Sequence, residues 1–369
     1  QIQRKLLSDS TEHIKELMVM QEMPQPKKTF LLNRGQYDAP TKQVFPNTPE
    51  KILPFSNQLP KNRYGLAQWL TDARNPLTAR VAINHLWQNF FGKGLVKTAE
   101  DFGNQGEMPS HLNLLDWLAI ELRDNNWDIK KINKLMVMSA TYQQDSKASG
   151  MLMEKDPENK LLARGPSIRL SAEMIRDNAL VASGLLNKEL GGKSVYPYQP
   201  EGLWEINGTK YNQDSTDQVY RRSLYIILKR TVPNPTLANF DGPSRASCVV
   251  RRQSTNTPLQ ALVTLNDPTF IEAAKVIGES ITKQQNTTAA IGLAYRQLTG
   301  ITPTSKQIAL LSAMQQAEYN KFKANPKKIK GWLNTGLYKI NTTLDPYWVA
   351  ANSVVASTIL NSDATITKR

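Results

Sequence analysis

The stretch Thr257-Pro258-Leu259-Gln260-Ala261-Leu262-Val263-Thr264-Leu265-Asn266-Asp267-Pro268-Thr269-Phe270 decides the fold class. Proline suits the first turn of a helix, where its missing N–H would find no intrahelical partner anyway. Two such starts in one short run predict a helix over 258–265 and a second over roughly 269–282. Working outward toward higher numbers, apolar positions recur at helical spacing over 289–298, 305–319, 326–335 and 346–360. Thr302-Pro303-Thr304-Ser305 is a further helix start. Toward lower numbers, 64–91 reads as two helices parted by Asn75-Pro76. Ser110 reads as the N-cap of a helix ending near Leu122. Further helices are predicted over 129–142 and 171–186. The segment 143–160 reads as polar loop, 191–217 as irregular, and 222–229 as a strand.

Residues 23–60 change character. Seven prolines, from Pro24 to Pro60, oppose regular helix, so this is an extended arm with one short strand near Thr29–Leu32. Residues 1–22 suggest a short amphipathic helix. The expected fold is mainly α, a multi-helix domain with long ordered loops and an extended Pro-rich N-terminal arm. The expected division is 1–60 for the helix and arm and 61–369 for the helical domain, with two subdomains dividing near 190–220. The first residue is Gln1 and no apolar leader segment follows it, so the chain reads as a processed piece of something longer.

Composition excludes several classes. The 369 residues carry 46 Lys+Arg against 32 Asp+Glu, a formal net charge of +14. One Cys rules out a disulfide scaffold, a four-cysteine zinc site and covalent haem attachment within this chain. Three scattered His speak against a histidine-rich metal centre, and no metal is expected. No apolar run reaches the roughly 18 residues that span a bilayer. Phosphate-binding glycine loops, nucleophile elbows and the H-E-x-x-H pattern are absent.

The densest functional signal is Phe240-Asp241-Gly242-Pro243-Ser244-Arg245-Ala246-Ser247-Cys248, followed by Arg251, Arg252, Thr255 and Asn256. Arginine offers a planar fork of donors that fits carboxylate, sulfate or phosphate. Arg245, Arg251 and Arg252 are thus candidate anion contacts, Asn256 a polar anchor and Asp241 the group that orients the arginines. The opposing reading is that internal acids neutralise these arginines and clamp the loop. A second constellation, Arg169, Glu173, Arg176 and Asp177, shares one helix face and reads as an acid–base pair over a cleft or as an ion-pair lattice. His85 and Asp101 form a third, which with His111 could be imagined as metal ligands but matches no known spacing. Cys248 reads as a buried structural thiol. The lysines at 321, 323, 327, 328 and 330 read as a solvated turn, and nucleic acid is not an expected partner. Tyr196, Tyr198, Trp204 and Tyr211 offer either sugar-stacking faces or loop packing.

Several ordered motifs carry a resemblance. They include Asn62-Arg63-Tyr64-Gly65-Leu66-Ala67-Gln68-Trp69-Leu70, Phe91-Gly92-Lys93-Gly94-Leu95-Val96 and Asp156-Pro157-Glu158-Asn159. Arg169-Leu170-Ser171-Ala172-Glu173, Phe240-Asp241-Gly242-Pro243-Ser244-Arg245 and Thr255-Asn256-Thr257-Pro258-Leu259-Gln260 belong with them. Over about residues 29–369 the chain resembles the C-terminal domain of unknown function of planctomycete-type cytochrome c proteins of Planctomycetota and Bacteroidota. His85 departs from that pattern, standing where an arginine is expected. The resemblance implies an exported protein of the periplasm, outer membrane or cell surface, linked to polysaccharide utilisation. It places any haem c in an upstream module and transfers no catalytic residue. The expected function is a binding or assembly module for an anionic partner, an acidic polysaccharide or a companion envelope protein. Two alternatives stand beside it: a glycan-active enzyme with paired carboxylates, and a docking scaffold for a haem electron-transfer module.

Overall fold

The computed structural model describes residues 18–205, 208 and 210–368. The helix read over 1–22 lies outside the described residues as far as residue 17, and residues 18–22 have no regular structure. The chain is mainly helical. Its described residues form two units, one up to residue 83 together with 116–127, the other of 84–115 and from 128 onward.

In the first unit, β1 (Thr29–Leu32) pairs antiparallel with β2 (Pro40–Val44), a partner the sequence reading did not foresee. Helix α1 (Arg63–Leu70) is capped by Asn62, whose side chain accepts from Gly65 N. Gly65 is required there, because a Cβ would sit 1.9 Å from Pro60 O. Trp69 locks the proline-rich arm to this helix, its Nε1 donating to Leu53 O at 2.8 Å. Asn75 then accepts from Leu77 N and Thr78 N, which starts α2 (Thr78–Phe91) just past the predicted break. Arg80 in α2 bonds Asp116 in α3 (Leu112–Asp124) at 2.6 Å. Ser110 is not the cap of α3: its hydroxyl donates to Leu95 O and the helix begins two residues later.

The second unit contains α4 (Ile129–Val137), α5 (Gly150–Lys155), α6 (Ala172–Ser183) and α7 (Pro235–Asn239). Then follow α8 (Pro258–Asn266), α9 (Pro268–Thr282), α10 (Thr287–Thr299), α11 (Ser305–Ala324), α12 (Ile329–Leu333), α13 (Pro346–Leu360) and α14 (Asp363–Ile366). Helix α5 interrupts the predicted loop over 143–160. The strands β3 (Ile168–Arg169) and β4 (Thr367–Lys368) form a short antiparallel pair. Helices α8, α9 and α13 each carry proline in the first turn, as the sequence reading requires. A 3-10 turn at Ser223–Tyr225 takes the start of the strand expected over 222–229, and only isolated bridges at Ile226 and Lys229 remain of it. Helix α11 runs to Ala324, so Lys321 and Lys323 lie in its last turn, where they complement the negative end of the helix dipole.

The core of this unit is α9 against α13. Ala273, Ala274, Ala350, Ala351, Val355 and Ala356 have no exposure at all. Small side chains let the two backbones approach until Gly278 faces Ser353. A Cβ on Gly278 would lie 2.5 Å from Ser353 N and 2.7 Å from its Oγ. Asn352 ties α13 to its neighbours, accepting from Gln315 of α11 and donating to Thr282 Oγ1 of α9 at 2.9 Å. Gly278→Ala is therefore expected to destabilise. The helix-propensity gain of about 1 kcal/mol is outweighed by overpacking of about 1–3 kcal/mol against a helix backbone that cannot swing away. Thermal unfolding checks the sign: a higher melting temperature would mean that the two helices separate freely.

Candidate functional site

A cleft of about 1820 Å³ opens in the second unit. Its walls come from α2 after Trp87, the turn behind it, the loop before β3, the first turns of α6 and the loop after Phe240. Each wall is pinned by a side chain remote in sequence or by a tight local turn. Asn84, fully buried, donates to Val96 O and accepts from Val96 N, which fixes the turn after α2. Gly94 lies so close that a Cβ would meet the Asn84 amide at 2.5 Å. Arg164, 8% exposed, gives its guanidinium to Asp156 O and Pro157 O, both at 2.9 Å. The Asp156 carboxylate takes Lys160 N and Leu161 N, both at 2.8 Å, and these bonds hold it below the usual carboxylate range.

The cleft brings together Asp241, Arg245, Arg251 and Arg252 with Arg169, Glu173 and Asp177. It does not take in Asn256, Arg176, His85 or Asp101. The arginines differ in what they are bound to. Arg252 Nη1 donates to Glu173 Oε2 at 2.6 Å, and Arg251 Nε lies 3.2 Å from Glu100. Arg245 is exposed, has a φ of +61°, and makes no internal ion pair. The left-handed region costs a non-glycine residue about 1–2 kcal/mol, so the surrounding loop must hold this residue there. Asp241 does not orient the arginines. Its carboxylate accepts from Thr255 N at 2.7 Å and Thr255 Oγ1 at 2.9 Å, closing the base of the loop.

Burial pushes the Glu173 carboxyl up, but the hydrogen bond from Arg252, with help from its own backbone and Ser171, outweighs it and the net shift is down. Asp177 accepts from Ser223 N and Oγ at 2.8 and 2.7 Å. Arg176 is buried and gives its fork to Val219 O, Arg221 O and Ser223 Oγ. Arg169 donates to Gln260 Oε1 at 2.7 Å. Arg176 and Asp177 thus hold the loop over 219–223, while Arg169 and Glu173 are tied to Gln260 and Arg252. Asp101 accepts from Gly103 N at 2.6 Å within its own turn, Asn256 is exposed, and the buried His85 Nε2 has no hydrogen-bond partner. Among the described residues no cluster of three or more His, Cys, Asp or Glu could hold a metal. Cys248 is exposed, contrary to the buried thiol expected. Tyr196, Trp204 and Tyr211 pack edge to face on one another with centroids 5.1–6.0 Å apart, so their faces are engaged within the loop.

Sequence reasoning missed the lysines of the opposite wall. Lys93, Lys97 and Lys160 line the cleft, as does Arg222, which is exposed and has no acidic partner. Spacing alone could not join Lys93 to Lys160; the Arg164-pinned turn does. In all, ten Lys and Arg line the cleft against five Asp and Glu. Such a surplus in a walled cleft raises the local concentration of anions.

Residues 62–315 match a family model described as "PSD1: Protein of unknown function (DUF1553)". No curated protein and no solved structure matches the chain.

Proposed function

The chain belongs to the PSD1 family of proteins of unknown function (DUF1553), and on that premise we propose that its cleft is a binding site for an acidic polysaccharide. The observation that carries this reading is Arg245, which lines a cation-rich cleft with no acid to neutralise it. Arg222 is a second open contact. Arg251 and Arg252 anchor the loop to Glu100 and Glu173, and their remaining donors complete the anion-facing wall. Asn89, Ser146, Ser167, Gln253 and Ser254 line the same cleft with side chains that have no partner inside the chain, as sugar hydroxyls require. Hydrolysis is the weaker reading, because a general acid needs a raised pKa and Glu173 is shifted the other way. An exported setting in the cell envelope, with haem carried elsewhere in a longer protein, is part of the same proposal and rests on the family resemblance.

The test is retention on an immobilised sulfated polysaccharide as salt is raised. The intact chain is expected to bind at low ionic strength and elute with salt. Arg245→Glu is expected to weaken binding about tenfold, since it removes one charge contact and adds a repulsive one. Absence of low-salt binding would defeat the proposal.

A further inference from the structure

We infer that the cleft holds a second anion subsite, formed by Lys93, Lys97 and Lys160 around Glu158, and so grips an extended polyanion at two places instead of a lone anion. The inference rests on the proposed polysaccharide reading and deepens it.

Three ammonium groups share one carboxylate. Glu158 Oε2 lies 3.5 Å from Lys93 Nζ, 3.4 Å from Lys97 Nζ and 3.8 Å from Lys160 Nζ. Lys97 also faces Glu107 at 3.8 Å. These separations exceed the roughly 2.7–2.9 Å of a charge-assisted hydrogen bond. The contrast is with Arg252 and Glu173, which meet at 2.6 Å. The lysine donors are therefore held near one another but not used up. Glu158 acts as a template that offsets their mutual repulsion, and it stays ionised because Lys93 and Lys97 hold its pKa below the usual range. Two carboxylates for three cations leave one positive charge uncompensated.

The template is displayed rigidly. Glu158 and Lys160 ride on the turn tied by Asp156 and Arg164, while Lys93 and Lys97 flank the turn tied by Asn84. Both line the cleft that also contains Arg245 and Arg222. Size agrees: small-molecule sites run to roughly 300–1,000 Å³, and this cleft is about 1820 Å³. A chain carrying sulfates or carboxylates at intervals meets both clusters at once, whereas a single anion meets one. Two linked contacts raise affinity without any new kind of bond.

The experiment titrates the intact chain with dextran sulfate, a singly sulfated monosaccharide, neutral dextran and polyglutamate. The Lys97→Ala/Lys160→Ala double variant and Arg245→Ala are compared with it. Dextran sulfate is expected to bind at least about a hundredfold more tightly than the monosaccharide. The double variant should lose about tenfold for dextran sulfate, and its salt dependence should flatten by about one to two contacts. Its weak affinity for the monosaccharide, held at Arg245, should be unchanged. Lys160 is exposed and Lys97 half-exposed, and their surface ion pairs contribute little, so melting temperatures should match and folding does not confound the result. If the double variant binds dextran sulfate like the parent while Arg245→Ala does not, the second subsite is overturned and the Arg245 site stands. If the monosaccharide matches the polymer, extended binding is overturned. If polyglutamate matches or exceeds dextran sulfate, the polysaccharide is overturned as the ligand, and if nothing charged binds, both proposals fall.

Discussion

Glu272→Ala is expected to cost about 3–5 kcal/mol, a large part of the 5–15 kcal/mol by which domains are typically stable. Glu272 has no solvent exposure. Its carboxylate accepts from Tyr198 Oη and Tyr220 Oη, both at 2.8 Å, and from Tyr338 N at 2.6 Å. One turn along α9, Lys275 Nζ donates to Thr335 O at 2.5 Å and Tyr338 O at 2.7 Å. Burial, then the bond to Glu272, pushes both tyrosine hydroxyls well above their usual pKa, so they remain donors. Truncation leaves three donors without their acceptor and removes the negative charge that offsets the burial of Lys275, which already pulls its ammonium down. Glu272→Gln keeps an acceptor oxygen and should cost less, about 1–3 kcal/mol.

Gly336 supplies the internal control. Its φ is +81°, and a Cβ there would lie 2.1–2.4 Å from the Glu272 carboxyl group. Gly336→Ala alone therefore carries both backbone strain and a clash. Combined with Glu272→Ala the clash disappears, and the double variant should lose at least about 1 kcal/mol less than the sum of the singles. Urea unfolding of the four proteins measures this directly, and additivity within about 0.5 kcal/mol would show that the two residues do not meet.

Arg176→Met should cost about 3 kcal/mol. The residue is 2% exposed, and its fork binds Val219 O at 2.6 Å, Arg221 O at 2.9 Å and Ser223 Oγ at 3.2 Å. Burial pulls its pKa below the ordinary arginine value, with Asp177 opposing, and a guanidinium does not deprotonate in proteins. Methionine fills much of the volume but leaves two buried carbonyls unpaired, each worth about 1–3 kcal/mol. Arg176→Lys should recover little, because one ammonium cannot reproduce the fork. The loss should appear as faster hydrogen exchange at Val219–Ser223, and a loss below about 1 kcal/mol would mean that the loop holds itself.

How far the sequence was legible follows from the range of each interaction. Helix starts at Pro258, Pro268 and Pro346, and the start within 302–305, are written in neighbouring residues and match the structure, whereas the cap expected at Ser110 does not. The strand expected over 222–229 is cut short because Asp177, more than forty residues away, takes Ser223 N, and beyond it Tyr225 O and Ile227 N pair with Val195. Asp241 misled for the opposite reason. Arginines lie near it in sequence, yet the fold hands its carboxylate to Thr255. The central arginine loop was visible as composition, while the lysine wall facing the same cleft was not, because it is assembled from two turns closed by Asn84 and Arg164.

The pairing of α9 with α13 has a consequence for how the protein is made. On the ribosome, α9 emerges well before Pro346–Leu360, its principal neighbour. At about 5–20 residues per second, its apolar side waits on the order of ten seconds for cover. During that interval the exposed helix is the place where aggregation in synthesis would begin.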